Sequence, residues 1–555
     1  MEKKLEQKNI LILGAGLMQK PAILSAKELN LRTCVIDADK NAVCVSLADE
    51  FEQIDLKDKD KILEYAEKLQ KSQNSLIAVF TAGTDFSASV SYVCEKLNLP
   101  SHSFNAAQNA SIKTQMRECF QKSNVPSPKF AKISKNDIND TLLDNILQKI
   151  TFPIVVKPVD NMGARGCRMI RSENEFTSSV KTAVEYSKTS NAIIEEYMEG
   201  AEFSIDALIY NGTFTVTGFA IRHIKYPPYF IEIGHTMPAQ LDKKIHDELI
   251  SVFALGAKSL NLTCGAAKAD IKYTKCGPMI GEIAARLSGG YMSGWTYPYA
   301  SDLNLTKQAI LIACNKTPQK LIEKRIPVSY TPSQLCKNEK CPYDLYEVPC
   351  VRTSAERAWY SIPGQVEYIE NINEYSDKAV FDVLPRSTVS LGSKVNFPRN
   401  NVEKCGNIIS VSNDDKIAID AAQDAVSNIF ITLKPDTKET EDFLSGISQQ
   451  DEKGFPPSAF EQIPPDILDS EDQIIGENQK VSDFIPKVLQ NPEYENIKDW
   501  NFNTIKQTAQ KFDILRKNHP EFDLKTFWKA VLKGGLQAAV YFSDTVKLKQ
   551  QSKKK

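Results

Sequence analysis

The sequence has few histidines and no excess of either charge. Among 555 residues there are 5 histidines, and Lys+Arg 68 against Asp+Glu 70 leaves a net charge of −2. So few histidines argue against a structural zinc site. The charge balance removes any global electrostatic reason to expect a nucleic-acid or membrane-surface protein, so small-molecule partners are expected and no nucleic acid. The 12 cysteines are scattered from Cys34 to Cys405 without a close CxxC pair, which suits reduced thiols and a cytoplasmic setting, not a disulfide scaffold. No uninterrupted run of about 18 apolar residues occurs, which excludes a transmembrane helix. There is also no GxxxxGK[ST] loop, no internal repeat and no extended low-complexity tract. What remains is an ordinary globular composition, 42% hydrophobic and 25% charged, with length for three or four domains.

The start, MEKKLEQKNILILGAGLM, imitates a secretory signal, but its apolar run stops at Leu13 and turns at Gly14-Ala15-Gly16, so a buried strand is expected. Apolar runs and helical periodicity then alternate to about residue 105, the pattern of a parallel, Rossmann-like sheet. The expected fold class is α/β and α+β in several domains. Residues 1–110 form the parallel-sheet domain and 111–325 a two-lobed domain, with a small lobe at 111–190 and a β-rich large lobe at 191–325. A β-containing domain follows at 326–440, then a linker at 441–475 marked by Pro456, Pro457, Pro464 and Pro465 and an acidic run from Asp466 to Asp472. Residues 476–555 read as a helical module. Its last helix places Phe527, Trp528, Val531 and Leu532 beside Lys525, Lys529 and Lys533, which leaves two roles open: packing on the body, or docking a partner or a membrane surface.

The most informative stretch is KADIKYTKCGPMIGEIAARLSGG, two alternating strands around the turn Lys275-Cys276-Gly277-Pro278. A hairpin centred on Cys276 sets Asp270 opposite Glu282. Two facing carboxylates repel unless a divalent cation bridges them, and carboxylates without histidine or thiolate partners select Mg²⁺ or Mn²⁺. The alternative is a pair of solvated strand carboxylates. Arg286, four residues after Glu282, offers a fixed planar cation to an oxyanion, while Gly289 and Gly290 permit close backbone approach.

In FPIVVKPVDNMGARGC, Lys157 ends a buried strand before a loop containing Gly163, Arg165 and Gly166. That arrangement suits a phosphate clamp, an ammonium group beside bare backbone N–H groups, or else a solvated strand-end lysine. In AIIEEYMEGAEFSIDAL, the segment from Glu195 through Glu196 to Met198 can offer backbone donors and acceptors to a purine edge, and Glu202 can accept ribose hydroxyls; an ordinary β-turn with surface glutamates is the alternative.

Taken in this order, the three segments resemble the ATP-grasp superfamily of carboxylate-amine ligases over nearly all of residues 8–435. VFTAGTDFSASVSYVCEKLNLP resembles the domain preceding the ATP-grasp fold in biotin carboxylase and carbamoyl phosphate synthase large chain. GEIAARLSGG, YPPYFIEIGHTMPAQL, RAWYSIPGQVEYIENI and KCGNIISVSNDD look closest to the L-amino acid ligase branch. The resemblance implies that Lys113 and Lys157 contact ATP phosphates under a mobile loop from Gly163 through Arg165 to Gly166. It implies that Glu195, Glu196 and Met198 hold adenine, that Glu202 holds ribose, and that Asp270 and Glu282 bind two Mg²⁺ ions. It places Arg286 beside an acyl phosphate, with Glu232, His235 and Gly289 near the substrate and Arg286, Lys157 and His235 as the catalytic set. The implied reaction joins a small-molecule carboxylate to an amine through an acyl phosphate, releasing ADP and phosphate. The pattern is not copied throughout: the first metal ligand is aspartate where that branch more often shows glutamate, and Asn161-Met162 and Ala164-Arg165 stand where relatives are richer in glycine and serine. Quaternary structure is open, with a homodimer common among the resembling proteins.

Rival readings are an ATP-dependent carboxylase of the biotin carboxylase type and a non-catalytic ATP-binding regulatory protein. A dinucleotide-dependent oxidoreductase fits poorly, because Gln19 replaces the third glycine of the GxGxxG fingerprint that Gly14 and Gly16 begin.

Overall fold

The computed structural model describes residues 7–138, 145–370, 379–386, 388–446, 454–468 and 473–553. The chain divides into two compact units. The first comprises Met1–Tyr229, His235–Ser354 and Val411–Asp415, and the second Phe230–Gly234, Ala355–Ser410 and Lys416–Lys555.

The first unit opens with a parallel sheet of β1 (Asn9–Leu13), β2 (Arg32–Asp37), β3 (Glu50–Gln53) and β4 (Leu76–Phe80), ordered β3-β2-β1-β4. Continuous apolar runs make β1 wholly buried, as a strand covered on both faces requires. The helix α1 (Lys20–Glu28) connects β1 to β2 and α2 (Lys59–Lys71) connects β3 to β4, while α3 (Ser87–Leu97) follows β4. The short edge strand β3 escapes sequence reading because EFEQ is charged and only half-buried. The glycine turn after β1 is tied to the end of β2, where the Ala15 N–H donates to Asp37 Oδ2 at 2.7 Å. A side chain on Gly14 would collide with Gln19, whose Oε1 accepts from the Ala82 N–H at 3.2 Å.

Next come α4 (Phe104–Ser111) and α5 (Lys113–Lys122), then a small antiparallel sheet of β5 (Phe130–Ser134), β6 (Ile154–Pro158), β7 (Arg168–Ile170) and β8 (Asn191–Glu196), ordered β5-β8-β6-β7. The helix Phe176–Tyr186 buries Phe176, Val180, Ala183 and Val184 in that lobe's core with Ile154, Val156 and Ile194. The larger lobe is built on β9 (Ala201–Tyr210), β10 (Thr213–Lys225), β12 (Gly265–Thr274) and β13 (Gly277–Ala284), antiparallel in the order β13-β12-β9-β10. The strand β11 (Ile231–Met237) precedes the helix Lys243–Ser259, whose Leu249, Ile250, Val252 and Phe253 close the large-lobe core.

In the second unit, Val380–Pro385 pairs antiparallel with Gly406–Ser412, and Gly364–Glu370 pairs with Phe430–Leu433 and Lys394–Val395. The final helical stretch, Leu524–Lys553, is interrupted at Gly534 and Gly535, where Gly535 has φ +63°. The break frees carbonyls that the expected linker takes up: the Ala459 N–H donates to Lys533 O at 3.0 Å and the Phe460 N–H to Leu532 O at 3.1 Å. Parts of that expected linker, residues 447–453 and 469–472, lie outside the described residues, as do Lys554 and Lys555. Phe527, Trp528, Val531 and Leu532 are 0%, 0%, 0% and 2% exposed, so the apolar face that a membrane or partner would need is already used within the unit. No helix among the described residues is long and apolar enough to cross a membrane.

Candidate active site

The hairpin of β12 and β13 turns through Thr274 and Gly277, a register whose regular continuation would set Asp270 opposite Gly281. A bulge between Asp270 and Ile271 absorbs Gly281 and brings Glu282 opposite Asp270 instead. A Cβ on Gly281 would stand 3.1 Å from the Asp270 carbonyl, so the bulge favours a residue without one.

Both carboxylates are ringed by cations. Asp270 pairs with Lys268, and its Oδ1 lies 3.0 Å from Arg222 Nη1. Glu282 Oε2 lies 3.9 Å from Lys113 Nζ. Burial works to raise the Glu282 pKa, but Lys113 and Lys268 outweigh it and hold the group below the ordinary carboxylate range. Among the described residues no group of three or more His, Cys, Asp or Glu could hold a metal ion by itself. The donor set is therefore two hard oxygen ligands, which fits a magnesium-type ion that completes its shell from substrate phosphates and water and does not fit a self-contained structural metal site.

Lys113 begins α5, and its Nζ donates to Asn161 O at 2.9 Å at the base of the glycine loop. Gly163, Ala164 and Gly166 have φ of +67°, +60° and +70°. A Cβ on Gly166 would meet Tyr186 Cβ at 2.7 Å, which explains that glycine, while Arg165 Nε donates to Met162 O at 3.1 Å within the loop. Lys157, on β6, contacts Glu195 Oε2 at 2.6 Å.

The Glu195 side chain is buried and committed to cations, with Arg117 Nε at 2.8 Å on its other oxygen. Burial opposes ionisation of Glu195, yet Arg117 and Lys157 lower its pKa overall. Glu196 pairs with Lys129 at 3.2 Å, and Met198 lies beside Gly281. Glu202 sits between Arg222 Nη1 at 2.6 Å and Lys272 Nζ at 3.2 Å, so Arg222 links it to Asp270.

Arg286 follows β13 and is held from the 81–85 loop. Its Nε and Nη2 donate to Asp85 Oδ1 at 3.1 and 2.9 Å, and its Nη1 donates to Leu287 O at 3.0 Å. Burial acts to lower the Arg286 pKa and Asp85 to raise it, with a net upward shift. The following residue Ser288 donates its N–H and hydroxyl to Asp206 Oδ2, both at 2.9 Å, and a Cβ on Gly289 would lie 3.2 Å from the Gly83 carbonyl. Asp206 is fully buried, which pushes its pKa up to about 6.

His235 is fully buried in the first unit. Glu232 belongs to the second unit, where its N–H donates to Asn401 Oδ1 at 2.8 Å and its carbonyl accepts from Lys404 Nζ at 3.0 Å. The structure thus joins Lys113, Glu282, Asp270 and, through Arg222, Glu202, sets the Lys157–Glu195 pair beside them through Arg117 and Gly281, and fixes Arg286 separately through Asp85. Sequence reading missed Asp85, Arg117, Asp206 and Arg222. For Arg117 one signal existed, its position four residues after Lys113 on the same helix face.

Against this geometry, residues 150–294 match the model of the ATP-grasp domain. The chain is 22% identical to carnosine synthase 1 of Homo sapiens over 336 residues, 57% of this chain and 40% of that protein. It is 26% identical to alanine–anticapsin ligase of Bacillus subtilis (strain 168) over 242 residues, 39% of this chain and 49% of that one. The chain therefore spans half or less of the length of these two curated relatives. Its fold is similar to the crystal structure of L-amino acid ligase from Bacillus licheniformis, with TM-score 0.61 and 17% identity, covering 78% of this chain and 100% of the other.

Proposed function

We propose that this chain is an ATP-dependent ligase that joins a small-molecule carboxylate to an amine through an acyl phosphate, releasing ADP and phosphate. The observation that carries the reading is the pair of facing carboxylates Asp270 and Glu282 with Lys113 3.9 Å from Glu282 and the charge of Lys157, itself paired with Glu195, acting on the same carboxylate. Cations within reach of two adjacent carboxylates are what a site needs to hold a triphosphate and its divalent ion together.

In this reading Lys113 and Lys157 bind the phosphates, the loop from Gly163 to Gly166 covers them, the backbone from Glu195 to Met198 meets adenine, and Glu202 takes the ribose. Asp270 and Glu282 would hold Mg²⁺ or Mn²⁺, which when bound neutralises phosphate oxygens. A substrate carboxylate oxygen attacks the γ-phosphorus in line, the bond to the bridging oxygen breaks and ADP leaves, so the lysines contribute positioning and charge neutralisation and no covalent nucleophile. The amine nitrogen then attacks the acyl carbon and phosphate departs. Arg286, oriented by Asp85, faces the oxyanion of that second step. Within the first unit, His235 and Gly289 are proposed for the substrate side.

The test is phosphate release from Mg·ATP against pools of amino acids and other small carboxylates, singly and in pairs, with Glu282→Ala as control. Release that requires both a carboxylate and an amine, and that vanishes in the variant, supports the ligase. Release with bicarbonate alone would replace it with a carboxylase, and nucleotide binding without release from any pool would replace it with a regulatory role.

A further inference from the structure

Arg117, which no motif names, bridges two strands of the proposed nucleotide site. It lies one turn after Lys113 on α5 and is 1% exposed. Its Nε donates to Glu195 Oε1 at 2.8 Å, and its Nη2 donates to the Gly281 carbonyl at 2.6 Å. Those two acceptors belong to β8 of the small sheet and β13 of the large one. The second Glu195 oxygen is 2.6 Å from Lys157 Nζ, and Gly281 is the extra residue of the bulge that sets Glu282 opposite Asp270.

Two consequences follow. Arg117, Lys157 and Glu195 together carry one net positive charge in a buried setting. Without Arg117, Lys157 and Glu195 would form a neutral pair with little attraction for a phosphate. The Gly281 carbonyl is also the atom whose placement decides where the next side chain, Glu282, projects. A guanidinium can serve both acceptors at once because its donors form a rigid planar fork, which an ammonium group does not.

We propose that Arg117 is the positioning residue of the site: it shares the Glu195 carboxylate so that Lys157 retains charge for a nucleoside triphosphate, and it anchors the bulge that presents Glu282 to a divalent cation. This rests on the nucleotide-site reading above. The Nη1 of Arg117 is buried with no hydrogen-bond partner among the described residues, so the polar hold on the side chain comes from the two bonds just given, beside the Phe120 ring at 5.8 Å.

The test compares wild type, Arg117→Met, Arg117→Lys and the double variant Arg117→Met/Glu195→Gln, reading the Kd for Mg·ATP by calorimetry, the Mg²⁺ concentration for half-maximal activity, and Tm. Arg117→Met should weaken ATP binding about tenfold or more, the scale of one partly screened charge contact. The double variant restores the single positive charge on Lys157, so it should regain most of that loss while still needing more Mg²⁺. Arg117→Lys should keep ATP affinity and raise the Mg²⁺ requirement; it carries the test if the methionine variant does not fold. ATP affinity unchanged in Arg117→Met, a double variant no better than the single one, or an unchanged Mg²⁺ requirement in Arg117→Lys would each overturn the proposal. Failure of the wild type to bind Mg·ATP would instead sink the nucleotide-site reading, and the positioning role with it.

Discussion

Asp85→Asn isolates the contribution of orientation to Arg286. In the wild type, Nε and Nη2 both donate to one Asp85 oxygen, at 3.1 and 2.9 Å, and the two side chains are 11% and 29% exposed for Arg286 and Asp85. Asparagine keeps an acceptor of the same size but removes the charge, and charge-assisted hydrogen bonds are roughly twice as strong as neutral ones. Arg286 would then sample other rotamers. Outright loss of an oxyanion donor costs about 10²–10³ in kcat, and a misplacement of about 1 Å costs about 10², so a loosened Arg286 should lower ligation kcat about 10- to 100-fold. That corresponds to about 1.4–2.8 kcal/mol of transition-state stabilisation. Among the described residues no hydrogen bond or ion pair joins Asp85 to Lys113 or Lys157, so the Kd for Mg·ATP should stay within about twofold. The assay is ADP release under saturating carboxylate and amine, paired with nucleotide titration of the same preparation. Unchanged kcat would refute the orienting role. An ATP affinity that falls in step with kcat would refute the separation of Arg286 from the phosphate-binding group.

Gly535→Ala should destabilise the second unit by about 1–3 kcal/mol, because the residue has φ +63° and a Cβ there would stand 2.6 Å from Asp499 Oδ2; the Tm from thermal unfolding checks it. Asp499 is 5% exposed, and burial raises its carboxyl pKa from 3.8 to about 6. The folded state therefore holds that proton more tightly than the unfolded one, so stability should rise as pH falls from above 6 towards 4. Asp499→Asn should flatten this slope, and unfolding midpoints at pH 5 and pH 8 measure it. Glu195 and Glu282 act in the opposite sense, since their folded pKa values lie below the ordinary 4.5, so their stabilisation is present above that value and lost on further acidification. Glu195→Gln should reduce the acid-induced loss of stability below pH 4.5, as followed by circular dichroism.

Much of the architecture was legible in the residue pattern. The buried run Ile10 to Leu13, the strands near Val35 and Ala78, and the helices between them follow from continuous apolar segments alternating with helical periodicity. The edge strand Glu50–Gln53 was not legible, because charged residues on a half-buried edge leave no apolar signal. A turn centred on Cys276 predicts that Asp270 faces Glu282, and the structure reaches the same pairing by another route, a turn between Thr274 and Gly277 corrected by the Gly281 bulge. The helix carrying Phe527 and Trp528 shows the limit of amphipathic reasoning: the pattern marks an apolar face but not what covers it, and here the unit's own chain does.

The sequence by itself determined the order of most strands and helices, the hairpin that carries the paired carboxylates, and the lysines and glycines of the proposed phosphate-binding loop. These depend on residues close together in the chain, where spacing converts directly into geometry. Only the tertiary structure decided which cation serves which carboxylate. Arg117 reaches Glu195 across 78 positions and Asp85 reaches Arg286 across 201. Charge coupling is set by separation in space and by burial, both of which the fold alone supplies, so local pattern carries no trace of either pairing.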